Sequence, residues 1–228
     1  MKLLGRVSDM EEPLRILCIS ASNNFRTGVV ETYSYQICKA VLDEAQNRIP
    51  EMKGEIIELK NFTLNPCRDC MGCLENRRCV TDDAFNHIYE KIIACDVLFI
   101  ITPHYAPIPA KLCMLLEKME EITFYRWEKD TTYKSEVYGI KTAVIAHGGG
   151  SGNEIAEPGG VSQKDYKTIV NDPIANALHT IQLKLMPFND EWNTGIVVSP
   201  ANTSAGSGRL LDKKISQYVC KVLDVEET

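Results

Sequence analysis

The sequence has no excess of basic residues: 25 Lys and Arg stand against 31 Asp and Glu, a net charge of −6 over 228 residues. A nucleic-acid binder needs a basic stripe to neutralise phosphates, and the pair Arg77–Arg78 is too short to serve as one. Nucleic acid is therefore excluded as the main partner. Long apolar runs are missing too. VLFII at 97–101 is among the longest, far below the ~20 residues of a membrane span. The start, MKLLGRVSDMEEP, carries only two consecutive leucines, too few for a signal peptide. The expectation is a cytoplasmic protein with no membrane attachment, in which thiols stay reduced. The nine cysteines are an odd number, which also fits a disulfide framework poorly. Neither G-x-G-x-x-G nor G-x-x-x-x-G-K-[ST] is present, so the usual dinucleotide and P-loop fingerprints are absent. No repeat, low-complexity tract or linker divides the chain, and its length suits a single domain with a sizeable core.

What the sequence does have is five short β-branched runs: RILCIS (15–20), GEIIEL (54–59), VLFIIT (97–102), TAVIAH (142–147) and TGIVVS (194–199). Runs apolar nearly throughout suit strands buried on both faces of a parallel sheet. Helical periodicity separates them. Residues 29–48 place Val30, Tyr33, Ile37, Val41 and Ala45 on one face, and 82–94 do so with Phe85, Ile88 and Ile92. A third helix is expected from near Pro109 with Leu112, Leu115, Leu116 and Met119 inward; 163–185 is helical but broken or kinked at Pro173; a last helix covers about 207–223. Alternating strands and helices predict an α/β fold, a doubly wound parallel sheet with helices on both faces and right-handed crossovers. The aromatic-rich stretch 122–141 is longer than a usual connection and reads as a lid or an oligomer contact.

Ligands of such sheets sit beyond the carboxyl ends of the strands. Strand one is followed by ASNNFRTG, strand three by PHYAPIP and strand four by GGGSGNE. The first loop offers Ser20, Ser22, Asn23, Asn24 and Thr27 as hydrogen-bonding groups and Arg26 as a cation, just before the free N–H groups of a helix start. That set suits a phosphate monoester such as that of FMN; the alternative is plain capping and turning. The second loop combines proline-restricted backbone with Tyr105 and Ile108, suited to a flat ring. In the third, Gly148, Gly149 and Gly150 let backbone approach a ligand closely, and His147 is either a flavin-carbonyl donor or an exposed strand-end histidine.

Strand two is followed by NPCRDCMGCLENRRCV (65–80). Three thiols at i, i+3 and i+6, with a fourth after five residues, form a compact cradle that matches the four iron corners of a cubane. The bacterial ferredoxin run sends its fourth cysteine to a second cluster; here no second set exists, and the wider gap lets Cys79 return to the same one. Structural zinc sites usually pair two knuckles across a longer spacer. A cluster, a zinc ion and metal-free thiols remain the alternatives. Cys18, Cys38, Cys95, Cys113 and Cys220 fall in strands or helices and read as small core residues. Thr81, Asp82 and Asp83 read as a helix cap.

From about residue 16 to 222 the chain resembles the flavodoxin-like NADPH-dependent FMN reductase family, and within it the iron–sulfur flavoproteins. The resemblance rests on the Ser-rich first loop, C-x2-C-x2-C-x5-C before Thr81-Asp82-Asp83, T-P-x-Y at 102–105 and the Gly-rich turn after strand four. It implies a five-stranded sheet of order 2-1-3-4-5, bound FMN, and homodimers or homotetramers. FMN phosphate would lie around Ser20, Ser22, Arg26, Thr27, Gly28 and Val29. The ring would meet Pro103, His104, Tyr105, Ala106, Pro107 and Ile108 on one side and His147, Gly148, Gly149 and Gly150 on the other. Cys67, Cys70, Cys73 and Cys79 would hold a 4Fe–4S cluster, with ferredoxin or NAD(P)H as redox partner. The family's usual Gly-Ser-Pro-Arg loop start is here Ala21-Ser22-Asn23-Asn24, which either moves the phosphate cation to Arg26 or removes that role. The function implied is an FMN-dependent electron-transfer oxidoreductase with no catalytic acid or base. The alternatives are a cluster-free NAD(P)H-dependent FMN or quinone reductase and a non-catalytic redox-sensing flavin module.

Overall fold

The computed structural model describes residues 12–24, 31–105, 108–148, 163–198 and 208–226. Within them β1 (Arg15–Ser20), β2 (Lys53–Glu58), β3 (Val97–Pro103) and β4 (Lys141–His147) form a parallel sheet, with β5 (Lys184–Leu185) and β6 (Ile196–Val198) both pairing with β4. The order is β2-β1-β3-β4-β5, as the resemblance implied, and the fold is flavodoxin-like. Register aligns the strand ends: Ser20 stands opposite Ile101 and Glu58, Pro103 opposite His147, and His147 opposite Val198.

The strand reading holds at the centre and weakens at both edges. β3 is buried along its whole length and β4 along all but its first residue, while in β2 only Ile57 is fully buried, because no strand covers its outer side. The fifth position is shared by two short pieces rather than one strand. The expected helix over 163–185 stops at Thr180, and Gln182 takes a left-handed φ of 70° that turns the chain into β5. The Gln182 side chain fixes that turn by accepting from the Ser135 N–H at 2.8 Å and donating to the Tyr133 carbonyl at 3.0 Å.

Helices α1 (Tyr33–Arg48) and α7 (Gly208–Leu223) cover one face of the sheet, where Ile37, Val41 and Ala45 pack with Tyr218 and Val219 on Ile16, Phe99 and Ile145. Between β2 and β3 lie α2 (Cys73–Asn76) and α3 (Asp83–Ile93). Helices α3 and α4 (Ala110–Lys129) cover the other face with α6 (Asp172–Thr180), burying Phe85, Ile88, Leu115 and Leu178 against Leu17, Leu98 and Val144. α1 begins at Tyr33 rather than near 29, because Thr32 is extended and its hydroxyl accepts the Tyr35 N–H at 3.2 Å. Asp82 caps α3 in the same way, as expected.

Pro173 has its predicted effect through a change of helix type. A single turn α5 (Gln163–Tyr166) leads into a π-helical turn, Lys167–Asn171, whose last bond runs from the Asp172 N–H to the Lys167 carbonyl. α6 then starts with Pro173 in its first turn, where a missing N–H costs nothing. The stretch 122–141 is not one loop either: its first eight residues extend α4 to Lys129. Among the remaining cysteines Cys18, Cys38, Cys95 and Cys220 are core residues, but Cys113 is exposed on α4.

Candidate functional site

The parallel register brings Ser20, Pro103 and His147 to one edge of the sheet. Ser20 is fully buried, yet its hydroxyl has no hydrogen-bond partner among the described residues, and neither has the buried Asn23 Oδ1. Leaving such groups unpaired costs about 1–3 kcal/mol each. The Ala21 N–H is anchored to the Ile101 carbonyl at 2.9 Å, and the Ser22 hydroxyl accepts the Asn24 N–H at 3.3 Å. A hydroxyl that can donate and a carbonyl oxygen that can accept are thus presented where the first loop leaves the sheet. Arg26, Thr27, Gly28, Val29, Ala106, Pro107, Gly149 and Gly150 lie outside the described residues.

His147 is not a water-exposed strand end. It is 6% exposed, its Nε2 lies 2.6 Å from the Ser34 hydroxyl, and its ring meets the Tyr33 ring edge-on with centroids 5.0 Å apart. Burial lowers its pKa to about 3, so the imidazole is neutral at pH 7. The residue therefore ties the end of β4 to the first turn of α1, and Nε2 is already committed within the protein. Pro103 is buried, Ile108 packs on the core, and Tyr105 is 45% exposed beside them. His104 donates its N–H to the His147 carbonyl at 3.2 Å. The sequence placed Tyr33 on a helix face and gave Ser34 no role; only the fold shows that both contact His147 at the end of β4.

The four clustered thiols form a second locus. Cys67, Cys70, Cys73 and Cys79 all line one pocket together with Lys118, Glu121, Ile122 and Tyr125 of α4. Asp69 and Met71 have φ of 50° and 55° on either side of Cys70, and Gly72 returns to the right-handed region. Such left–right alternation turns successive N–H groups toward one concavity, a form shared by many anion and Fe–S sites. Gly72 packs closely on Val80, since a Cβ there would stand 2.4 Å from a Val80 methyl. Burial pushes the Cys73 thiol up, and Cys67, Cys79 and Cys70 add to the shift. Among the described residues, no three His, Cys, Asp or Glu side chains converge as a ready metal-ligand set.

Polar ties hold this loop on the outer sides of α3 and α4. The Cys67 N–H donates to Glu117 at 2.9 Å, and Asn86 exchanges two hydrogen bonds with the Cys79 backbone, at 2.8 and 2.7 Å. Tyr125 donates to Asp69, and Arg126 caps the last carbonyls of α2. Beneath the loop, the Lys118 ammonium is buried against the Asp82 carboxylate and the Asn65 carbonyl. These anchors lie seven to sixteen residues past Ala110, the start of α4. At 1.5 Å per residue the loop therefore sits roughly 10–24 Å down the helix from the β3 end. The sequence places the thiols after strand two, but they do not lie at the edge formed by Ser20, Pro103 and His147.

Comparison with known proteins agrees with this architecture. Solved structures with matching folds include an oxidoreductase from Corynebacterium diphtheriae (TM-score 0.59, 16% identity, covering 94% of this chain and 97% of that one). An NADH:FMN oxidoreductase (TM-score 0.57, 14% identity, covering 94% and 91%) matches similarly. So does an azoreductase from Bacillus anthracis (TM-score 0.56, 11% identity, covering 92% and 99%). At such identities the likeness concerns the fold. An iron-sulfur flavoprotein of Methanosarcina thermophila is 31% identical over 84 residues, 36% of this chain and 43% of that protein, so the match spans less than half of that relative. A model of the NADPH-dependent FMN reductase family matches residues 14–157. With more than half of its length matched, the chain belongs to the NADPH-dependent FMN reductase family.

Proposed function

We propose that this chain is an FMN-dependent oxidoreductase that passes electrons through a 4Fe–4S cluster held by Cys67, Cys70, Cys73 and Cys79. The observation that carries the reading is the pairing of two loci on one chain: four thiols around one pocket, and a strand edge whose buried polar atoms have no partner among the described residues. FMN supplies hydride or single-electron chemistry, and a cluster supplies single-electron exchange with a carrier. The Ser20 and Ser22 hydroxyls, with Arg26 and the loop 27–29, would hold the phosphate, while Asn23 Oδ1 is suited to accept from a ribityl hydroxyl. Pro103, His104, Tyr105 and Ile108, with the turn at Gly148, would bound the ring. Ser34 and His147 orient the first turn of α1 from beneath. Because the thiols lie down α4 from this edge, a cluster held by them and a flavin at the edge would exchange electrons either within the protomer or across a contact between protomers of a homodimer or homotetramer. Reduced ferredoxin or NAD(P)H would be the donor.

A second reading is a cluster-free NAD(P)H-dependent FMN or quinone reductase, favoured by the absence of a converged ligand set among the described residues. Anaerobic purification, an absorption spectrum and an iron assay, repeated after reconstitution with iron and sulfide, separate the two. Flavin bands with about four irons per chain are expected for the first reading. Flavin without iron, before and after reconstitution, leaves the second. A protein that binds neither overturns both.

A further inference from the structure

The flavin edge contains an aromatic side chain that no motif announces. Tyr166 is the last residue of α5, and its ring lies on the backbone of Gly148: a Cβ at 148 would stand 2.1 Å from Cε1, 2.2 Å from Cζ and 2.5 Å from the hydroxyl. The phenol thus fills the place a side chain at 148 would take. The same ring meets His104 edge-on, with centroids 5.2 Å apart at 81°. Both neighbours are pinned, since the His104 N–H donates to the His147 carbonyl at 3.2 Å and the Gly148 N–H to the Val198 carbonyl at 3.4 Å. Tyr166 therefore touches the exits of β3 and β4 at once, from a third element. The π-helical turn begins at the next residue, Lys167. A wider turn at that point changes the direction in which the preceding turn presents its side chains, and π-bulges recur at functional sites for this reason.

We propose that Tyr166 is a positioning residue whose ring bounds the isoalloxazine site and holds the His104 and Gly148 backbones against the flavin. The proposal rests on the FMN reading above. It makes the glycine at 148 a consequence of Tyr166 rather than of turn flexibility alone. It also places an oxidisable phenol next to the flavin, and a phenol in contact with a flavin quenches its fluorescence by transferring an electron to the excited ring.

The test uses apo-protein titrated with FMN and, separately, with riboflavin, following affinity and the emission of the bound flavin. Wild type is expected to bind FMN with quenched emission. Tyr166→Phe keeps the ring but removes its oxidisable hydroxyl, so in a Tyr105→Phe background, which removes the other phenol placed at the ring, emission should recover while affinity stays within about threefold. Tyr166→Ala in the same background should recover emission and weaken FMN and riboflavin equally, by about tenfold, because the loss is at the ring and not at the phosphate. A purely structural tyrosine would not change emission in the Phe variant. If wild type binds FMN and Tyr166→Phe added to Tyr105→Phe is no brighter than Tyr105→Phe alone, the proposal is overturned whether or not the Ala variant folds. If wild type binds neither FMN nor riboflavin, the FMN reading itself fails.

Discussion

Replacing Lys118 by methionine tests whether the cysteine loop hangs on a single buried charge pair. Lys118 and Asp82 have side chains only 3% and 1% exposed. Asp82 also accepts the Asn65 N–H at 2.8 Å and the Phe85 N–H at 2.9 Å, so one carboxylate serves the loop entry, the α3 cap and α4 together. Methionine keeps the stem volume and leaves Asp82 charged with two N–H donors and no counter-ion. Removing one partner of a buried pair costs about 3–5 kcal/mol, which for a chain of this size lowers Tm by roughly 6–20 °C. Burial alone would raise the Asp82 pKa, but the Lys118 bond and the two N–H groups hold it below the ordinary carboxylate value. A depressed folded pKa gives stability that is present above the unfolded value near 3.9 and lost as pH falls through the folded one. In Lys118→Met the Asp82 pKa rises, so the deficit against wild type is largest near pH 7 and shrinks toward pH 4. Urea unfolding at both pH values measures this, and adding Asp82→Asn should restore part of the loss by removing the stranded charge. A single variant within about 1 kcal/mol of wild type at pH 7, or a deficit that grows in acid, refutes the reasoning.

Three further outcomes are expected. Gly195 has φ of 111° and a Cβ there would lie 2.2 Å from the Val144 carbonyl oxygen, so Gly195→Ala should lose at least about 2 kcal/mol in urea unfolding. Arg26→Ala should weaken FMN by about ten- to a hundredfold while leaving riboflavin affinity unchanged, since only FMN carries the phosphate; equal losses for both would remove Arg26 from the phosphate site. Phe124 and Trp127 are 47% and 45% exposed on the far end of α4. If that face is the contact between protomers, Phe124→Glu with Trp127→Glu should convert a dimer or tetramer to a monomer in sedimentation velocity, and an unchanged oligomer or a monomeric wild type would discard it.

The central strands were legible because burial on both faces leaves a continuous apolar run, as in VLFII of β3, while exposed Lys53 and Glu55 dilute the signal in edge strand β2. β5 was not legible: two residues carry no pattern, and the turn that sets it depends on Gln182, whose partners Tyr133 and Ser135 are distant in sequence. Pro173 announced a break but not its form, since a π turn differs from a kink only in which carbonyl each N–H selects. The thiols could be grouped from spacing alone. Their distance from the strand-end edge was hidden, because adjacency to strand two says nothing about how far a loop travels before it docks. Tyr166 was invisible for the opposite reason: its meaning comes from Gly148, eighteen residues earlier and brought beside it by the fold.

The docking of the cysteine loop along α3 and α4 has an evolutionary consequence. Among the described residues, the strand-end edge is built by Ser20, Ser34, His104 and His147, and the thiol pocket by Lys118, Glu121, Tyr125 and Arg126, with no side chain shared between the two sets. Selection can therefore alter one without retuning the other, so the thiol loop behaves as a cassette on the strand-end chassis. Asp82 ties the cassette to the framework, since the loop entry and the α3 cap both use it. A lineage that discarded its thiols would be expected to keep the Lys118–Asp82 pair, because the α3 cap depends on it with or without them.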